Sequence, residues 1–513
     1  MTSVVPPRPS RRRKVPFVAI PLLALIALIC WGFASPAGST PDEGFHLQSI
    51  WCGSGSPTPT CEDGPTAGER AISPDLVGGA ICYANDSTRT PDCQGDEYGD
   101  DLSSNHILSN GGNFYGLYPP VFYFTMSLFA TDNLQLSVLT MRAVNSLIFV
   151  ALSTALFFLL PLHRRPTLLV SVIATLVPVG VFLIASVNPS GWAIMSAGML
   201  WISLLGFMET NGKRRIALGA IAVLATVMSA GARADGAVYS ILAIGAVLLL
   251  RAERSRRFLL LAILPLALAV MAGLFFLSAG QSNAASTGLS TARGGHSQYV
   301  LIVENLTNLP SLFMGVFGSW PLGWLDTPLP SVVPFAGTVV LGGLVMLGIN
   351  WFGRRKALAT AGVFAVLCLF PLVLLYQSDS IVGAQVQPRY ILPVMVLLTG
   401  IILVRRRGEP LLIKPVQAVL IATAISLANA AALHANIRRY VTGVGAGGGN
   451  LDSGVEWWWD AGLSPMGVWA LGAVTFAGTL FWLAHVWIRY SAVHADAFVP
   501  DRPVAGATAL PSR

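Results

Sequence analysis

Residues 17–46 read FVAIPLLALIALICWGFASPAGSTPDEGFH. The part up to Phe33 carries no charge and is long enough to cross most of a bilayer core as a helix. After a short run at 34–41 come Asp42 and Glu43, two adjacent carboxylates, with His46 just beyond. A helical turn starting at Pro41 puts Asp42 and His46 on one face, with Glu43 beside them. Ionisable groups at the edge of a membrane cost free energy, so their presence calls for a use. The expected use is acid/base chemistry at the outer membrane surface. The plainer use, an acidic N-cap after Pro41, is compatible with it.

The rest of the chain repeats the first segment. Of 513 residues, 54% are hydrophobic and 11% charged, against a usual charged share of about 25%. About a dozen apolar runs of roughly 20 residues each match a bilayer core. They lack the alternation of barrel strands, and helices satisfy their own backbone in lipid. The expected fold is all-α: a polytopic membrane protein with about 12 transmembrane helices. Their expected places are 17–33, 135–161, 167–187, 190–208, 216–232, 235–250, 258–278, 331–351, 357–376, 389–404, 411–435 and 465–488.

The net charge of +7 does not point to nucleic acid. Basic residues fall in short clusters between apolar runs, at 11–14, 164–165, 213–215, 251–257, 354–356, 405–407 with Lys414, and at Arg489. That alternation follows the positive-inside rule and places both termini in the cytoplasm. The expected organisation is a cytoplasmic tail (1–16), one transmembrane domain (17–490) and a disordered cytoplasmic tail (491–513). Outer loops are expected at 35–116, 279–330 and 436–464, the first without regular structure. Residues 115–130 make a short apolar segment, flat on the membrane or re-entrant, and 299–317 an amphipathic piece of the second loop. A cleaved leader ending near residues 34–37 is the competing reading of the amino terminus. Cys52, Cys61, Cys82 and Cys93 share the first loop, which implies two disulfides. Cys52–Cys61 with Cys82–Cys93 is one of three pairings, and the CxxC spacing of a zinc site is missing.

All but five of the 25 acidic residues fall in outer loops or at outer helix ends, much of it the complement of the basic clusters. Arg142, Arg233, Arg293 and Arg389 break the pattern by lying at the outer surface. Arginine grips phosphate through parallel hydrogen bonds. Pairing of Arg233 with Asp235 is the local alternative. Tyr118, Tyr123, Trp320, Trp324 and Trp457 to Trp459 suit stacking on sugar rings, and equally the aromatic belt of any membrane protein. Asp42, Glu43 and His46 are too few to name a metal, although a divalent cation suits them.

Five motifs occur in order: Pro-Asp-Glu-x-x-His at 41–46, Tyr-Pro-Pro at 118–120, Arg142 with Asn145, Gly-Trp-Leu-Asp at 323–326, and Gln-Pro-Arg-Tyr at 387–390. Together they resemble a bacterial multi-pass membrane family catalogued as a domain of unknown function, which is itself similar to the GT-C glycosyltransferase superfamily. Pro388 stands where that family's pattern has Gly, and Arg233 where it more often has Lys. The resemblance implies a GT-C-like fold in the bacterial plasma membrane with its active site on the extracytoplasmic face. It implies a polyprenyl-phosphate-linked sugar as donor and a cell-envelope or exported glycan as acceptor. Asp42 is then the general base, assisted by Glu43 and His46. Arg389, Arg233, Arg142, Gln387 and Tyr390 are the implied donor-phosphate residues, and Tyr118, Asn145, Trp324 and Asp326 the implied substrate contacts. Such chemistry needs no nucleotide outside the cell, and no nucleotide-binding glycine loop is present. The competing class is a lipid-linked sugar flippase or other multi-pass transporter, which would place polar groups near the midplane rather than at the outer helix ends. A scaffold for cell-wall enzymes would not need residues 41–46.

Overall fold

The computed structural model describes residues 15–495, apart from 56, 80, 284–287, 290–294, 350–352, 406–410, 412 and 461. Arg293 and most of both tails lie outside the described residues, as does the disorder expected of the carboxyl terminus.

Helix α1 (Val15–Phe33) leads through a nine-residue connector into α2 (Glu43–Trp51). The first loop is not irregular. It holds α3 (Pro74–Gly78) and a three-stranded antiparallel sheet ordered β1 (Cys61–Asp63), β2 (Arg70–Ile72), β3 (Ile107–Ser109). Cys61 faces Ile72, and Arg70 faces Ser109. Disulfides Cys52–Cys61 and Cys82–Cys93 close the loop on itself, so the nearest-neighbour pairing is the one formed. The apolar segment after it is a short helix, α4 (Val121–Ser127).

The bundle follows: α5 (Leu134–Leu159), α6 (Arg165–Thr175), α7 (Pro178–Ile184), α8 (Pro189–Glu209), α9 (Gly212–Ala230), α10 (Ala234–Arg251) and α11 (Arg256–Ser278). After it come α12 (Gln298–Met314), α13 (Val332–Ile349), α14 (Arg354–Gln377), α15 (Pro388–Leu403), α16 (Pro415–Val441) and α17 (Pro465–Ala495). Among the described residues, nine helices are long and apolar enough to span a membrane. Eight of them fall where the apolar runs put them. The ninth, Gln298–Ser319, is the piece assigned to a loop by its amphipathic pattern. The run at 167–187 is broken instead of continuous: α6 and α7 meet at 88°. Pro178 starts α7, where a missing N–H costs nothing, and a Cβ on Gly180 would collide with the Thr175 carbonyl. Val18–Phe33 and Pro388–Leu403 are shorter apolar helices.

Helix α8 is the central post, with 94% of its apolar window buried. A helix apolar all round has no polar face to show and is buried on every side. It packs against α6, α9, α10 and α15, while α1 packs against α5 and α17. Where lipid replaces water, close packing rather than water exclusion drives such contacts. Gly400 of α15 shows it: a Cβ there would strike the Trp201 ring of α8.

The connector between α1 and α2 is held by side chains from six other segments. Arg142 of α5 donates to the carbonyls of Gly32 (2.7 Å), Ser35 (2.6 Å) and Pro36 (2.7 Å). Trp459 donates to Phe33 O at 2.8 Å and Asn436 of α16 to Ala34 O at 2.9 Å. Tyr83 reaches Ala37 O (2.9 Å), Trp324 reaches Gly38 O (2.8 Å) and Tyr440 reaches Ser39 O (3.4 Å). Asn188, just before α8, donates to Pro41 O at 2.8 Å. A buried carbonyl without a partner costs about 1–3 kcal/mol, and here the whole run from residue 32 is paired. The segment that carries the carboxylates is therefore a rigid strap rather than a loop.

Candidate functional site

Asp42 sits one residue outside α2, in a left-handed conformation (φ 61°, ψ 13°). It is not on a helical face with His46, as the spacing implied. Its carbonyl accepts the His46 N–H at 3.1 Å, while its side chain makes no cap bond. Asp is among the few L residues that tolerate this region, at a cost of about 1–2 kcal/mol, and such strain clusters at functional sites. The turn separates the two neighbouring acids.

The Asp42 carboxylate points to Arg389, at the first turn of α15, with Oδ2 2.5 Å from Nη2. Burial by itself would raise its pKa; the Arg389 charge, aided by Arg233, holds it below the usual 3.8. Asp42 is therefore an ionised carboxylate with 48% of its side chain exposed. Arg389 is 4% exposed at its side chain, and its Nε and Nη1 have no hydrogen-bond partner among the described residues. A small cavity beside it is lined by Pro41, Trp320, Leu322, Gln387 and Arg389. Gln387 precedes α15 and makes no cap bond with its side chain.

Glu43 turns the other way. It is fully buried, with Oε2 accepting the Thr40 N–H at 2.8 Å and Oε1 3.4 Å from Arg142 Nη2. Burial raises its pKa above 4.5 against the opposing effect of Arg142. His46 is 1% exposed and shares a hydrogen bond with the Tyr123 hydroxyl (Nδ1 to OH, 3.0 Å). Burial drives its pKa down to about 3, so the imidazole is neutral. The Tyr118 ring meets it edge-on at 5.5 Å, and burial lifts the Tyr118 phenol to about 12.

Arg233 is paired in a fork with Asp235, both contacts 2.8 Å, and its Nη1 donates to Ser190 Oγ at 3.1 Å. Its guanidinium lies 5.1 Å from the Tyr390 ring centre, and that of Arg389 lies 5.1 Å from the same ring. The Tyr390 ring is thus within cation–π distance of both arginines.

Several sequence-assigned residues are placed elsewhere. Arg142, grouped with the phosphate-gripping arginines, is 1% exposed and spends both Nη atoms on the strap. Asn145, assigned to substrate, bridges Ser186 O (2.8 Å) and Trp192 Nε1 (2.9 Å) inside the bundle. Trp324 bonds the strap, and Asp326 is 2.8 Å from Arg439 Nη2 with both side chains buried. Arg439 was missed by sequence reasoning. It also donates to Arg89 O (2.6 Å) and Tyr83 O (2.8 Å), locking the first loop to α16. Its signal was a further exception to the positive-inside pattern, beside Arg438 at the outer end of a helix. Among the described residues, no three His, Cys, Asp or Glu side chains converge as metal ligands. Asp42, Glu43 and His46 point to three different partners.

The arrangement provides one accessible ionised carboxylate, beside one buried arginine with two unbonded N–H groups. A carboxylate so placed accepts a proton from a hydroxyl, and the guanidinium stabilises an anion.

A family model described as "Predicted membrane protein (DUF2142)" matches residues 25–398. No curated protein matches the chain. Among solved structures, the chain is similar to the crystal structure of ArnT from Cupriavidus metallidurans bound to undecaprenyl phosphate. The identity is 13% and the TM-score 0.39, over 95% of this chain and 79% of that one.

Proposed function

The chain belongs to the DUF2142 family of predicted membrane proteins, and on that premise we propose that it is a membrane glycosyltransferase using a polyprenyl-phosphate-linked sugar. Asp42 is the general base and Arg389 holds the donor phosphate. The acceptor is a cell-envelope or exported glycan, and the chemistry takes place on the extracytoplasmic face of the bacterial plasma membrane. The observation that carries the reading is the Asp42–Arg389 pair: a half-exposed ionised carboxylate whose arginine keeps Nε and Nη1 unbonded.

The chemistry balances. An acceptor hydroxyl attacks the anomeric carbon, its proton passes to an Asp42 oxygen, and the bond from that carbon to the phosphate oxygen breaks. The lipid phosphate leaves with one more negative charge than it carried as the sugar diester. Arg389 meets that charge through the N–H groups that are free in this conformation. Direct displacement inverts the anomeric centre. Glu43, His46 and Arg142 take positioning roles: they hold the strap and the aromatic wall, and they keep neutral or paired groups behind Asp42. Tyr118 and Tyr390 offer ring faces beside the carboxylate.

The test uses purified protein in lipid, a panel of radiolabelled polyprenyl-phosphate sugars and an envelope glycan extract. Transfer by wild type that is lost in Asp42→Asn, with donor binding retained, supports the reading. Asn tolerates the left-handed turn, so the backbone is preserved. Donor binding without transfer across the panel, unchanged by Asp42→Asn, overturns it in favour of a lipid-sugar flippase.

A further inference from the structure

A large cavity lies far from Asp42. It measures about 590 Å³ and opens at the basic end of the bundle, between the ends of α8, α10 and α15 and the starts of α11 and α14. Three helices run from one site to the other. Helix α15 starts at Arg389's turn and leads out to Arg405, α10 runs from Arg233 to Arg251, and α8 runs from Ser190 to Glu209. With 16 residues in α15 and 18 in α10, a rise of 1.5 Å per residue separates the sites by about 24–27 Å.

Seven basic side chains line this cavity, Arg164, Arg251, Arg257, Arg354, Arg355, Lys356 and Arg405, against Glu209 and Glu253. Positive-inside topology accounts for basic residues on exposed loops. It does not account for a built concavity with buried cations. Arg164 is 5% exposed and Lys356 2%. Glu209 is already saturated: Arg164 grips it through two bonds (3.0 and 2.7 Å), and His163 and Arg251 approach at 3.2 and 3.5 Å. Among the described residues, Arg257, Arg354, Arg355 and Arg405 have no carboxylate partner, and Arg405 Nε has no hydrogen bond. Two helix N-termini add to the field. Helix α14 begins at Arg354 after Gly353, which supplies no side-chain cap, and α11 begins after Ser255. The helix dipole favours an anion at both N-termini. The first-turn N–H groups of α14 are also without a side-chain cap, whereas in α11 the Ser255 hydroxyl accepts from Phe258 N–H at 3.1 Å. The floor is apolar, formed by Leu205, Met208, Leu250 and Phe258.

We propose that this cavity is a second anion site that takes a phosphate group. Its chemistry fits a phosphate presented either by an anionic lipid headgroup or as free pyrophosphate. The site is independent of the Asp42 centre, and its failure leaves the glycosyltransferase reading untouched.

The test uses the full chain. Inorganic pyrophosphate is titrated by calorimetry into detergent-purified protein. In a second arm, phosphatidylcholine nanodiscs with and without phosphatidylglycerol are followed by native mass spectrometry for retained lipid. The variants are Arg354→Gln with Arg355→Gln, and separately Arg257→Gln, all at exposed positions that do not threaten folding. Arg389→Gln is the control for the other centre. The expected result is a phosphate ligand bound by wild type and by Arg389→Gln, and about tenfold weaker in the double variant, as loss of a charge-assisted contact requires. Pyrophosphate binding alone identifies a free phosphate; phosphatidylglycerol retained by wild type and shed by the double variant identifies a lipid headgroup. No binding in either arm, or binding that follows Arg389→Gln and ignores Arg354 and Arg355, overturns the proposal.

Discussion

Asp42 Oδ2 lies 2.5 Å from Arg389 Nη2, across a separation of 347 residues. The pair joins the strap after α1 to the start of α15, and it sets both the charge and the orientation of the carboxylate. Because Arg389 is almost fully buried while Asp42 is half exposed, the carboxylate faces outward and its partner stays fixed behind it.

Removing the base by Asp42→Asn is expected to lower glycosyl transfer by about 10²–10⁴-fold. Donor affinity should stay within about threefold, since Asn keeps the left-handed turn and its amide oxygen still accepts from Arg389. Equilibrium donor binding and single-turnover transfer, measured on the same preparation, separate the two effects.

The pH profile should carry the mark of Arg389. A base at Asp42, as proposed, acts in its ionised form, so the acid limb of kcat/KM is expected below pH 3.8 in wild type. In Arg389→Gln the principal charge lowering that pKa is gone, and the limb moves upward. An unchanged limb in the variant would mean that a group other than Asp42 titrates in catalysis.

His46 predicts a stability effect. Its folded pKa is about 3, against 6.5 for the ordinary side chain. Between those values the unfolded chain binds more protons than the folded one, so stability falls as pH drops from about 6.5 toward 3. In His46→Gln, which keeps a partner for the Tyr123 hydroxyl, that loss should be absent. The difference between the two melting profiles isolates His46 from the opposing titration of Glu43.

Arg142→Lys should destabilise by about 3–5 kcal/mol, because lysine cannot bond three strap carbonyls and Glu43 together. Asp42→Asn should cost less than that, because Asp42 is itself half exposed and the Asn amide oxygen still accepts from Arg389. Thermal unfolding in one detergent compares them. Equal losses would contradict the division between a structural and a reactive acid.

Replacing Cys82 and Cys93 by serine should cost about 2–3 kcal/mol through the short loop they close. The change should also loosen Tyr83 from the Ala37 carbonyl. Limited proteolysis within residues 83–93 is the readout.

The helical membrane class was legible in the chain because a bilayer imposes a length and an apolar composition that local sequence displays directly. Eight of the nine spans, the motif 41–46 and the four loop cysteines were read the same way. Helix α12 was missed because its polar stripe resembles a surface segment. The bend between α6 and α7 was missed because Pro178 and Gly180 alone do not fix an angle. Local spacing also put Asp42, Glu43 and His46 on one functional face, whereas the fold gives each side chain a different partner. One left-handed residue turns Asp42 toward Arg389, while Glu43 goes inward to Arg142, a partner 99 residues away. Composition and periodicity report what each segment does with its nearest neighbours and with lipid. Which arginine is spent on carbonyls and which keeps unbonded N–H groups depends on packing between distant helices, and only the tertiary structure decides it.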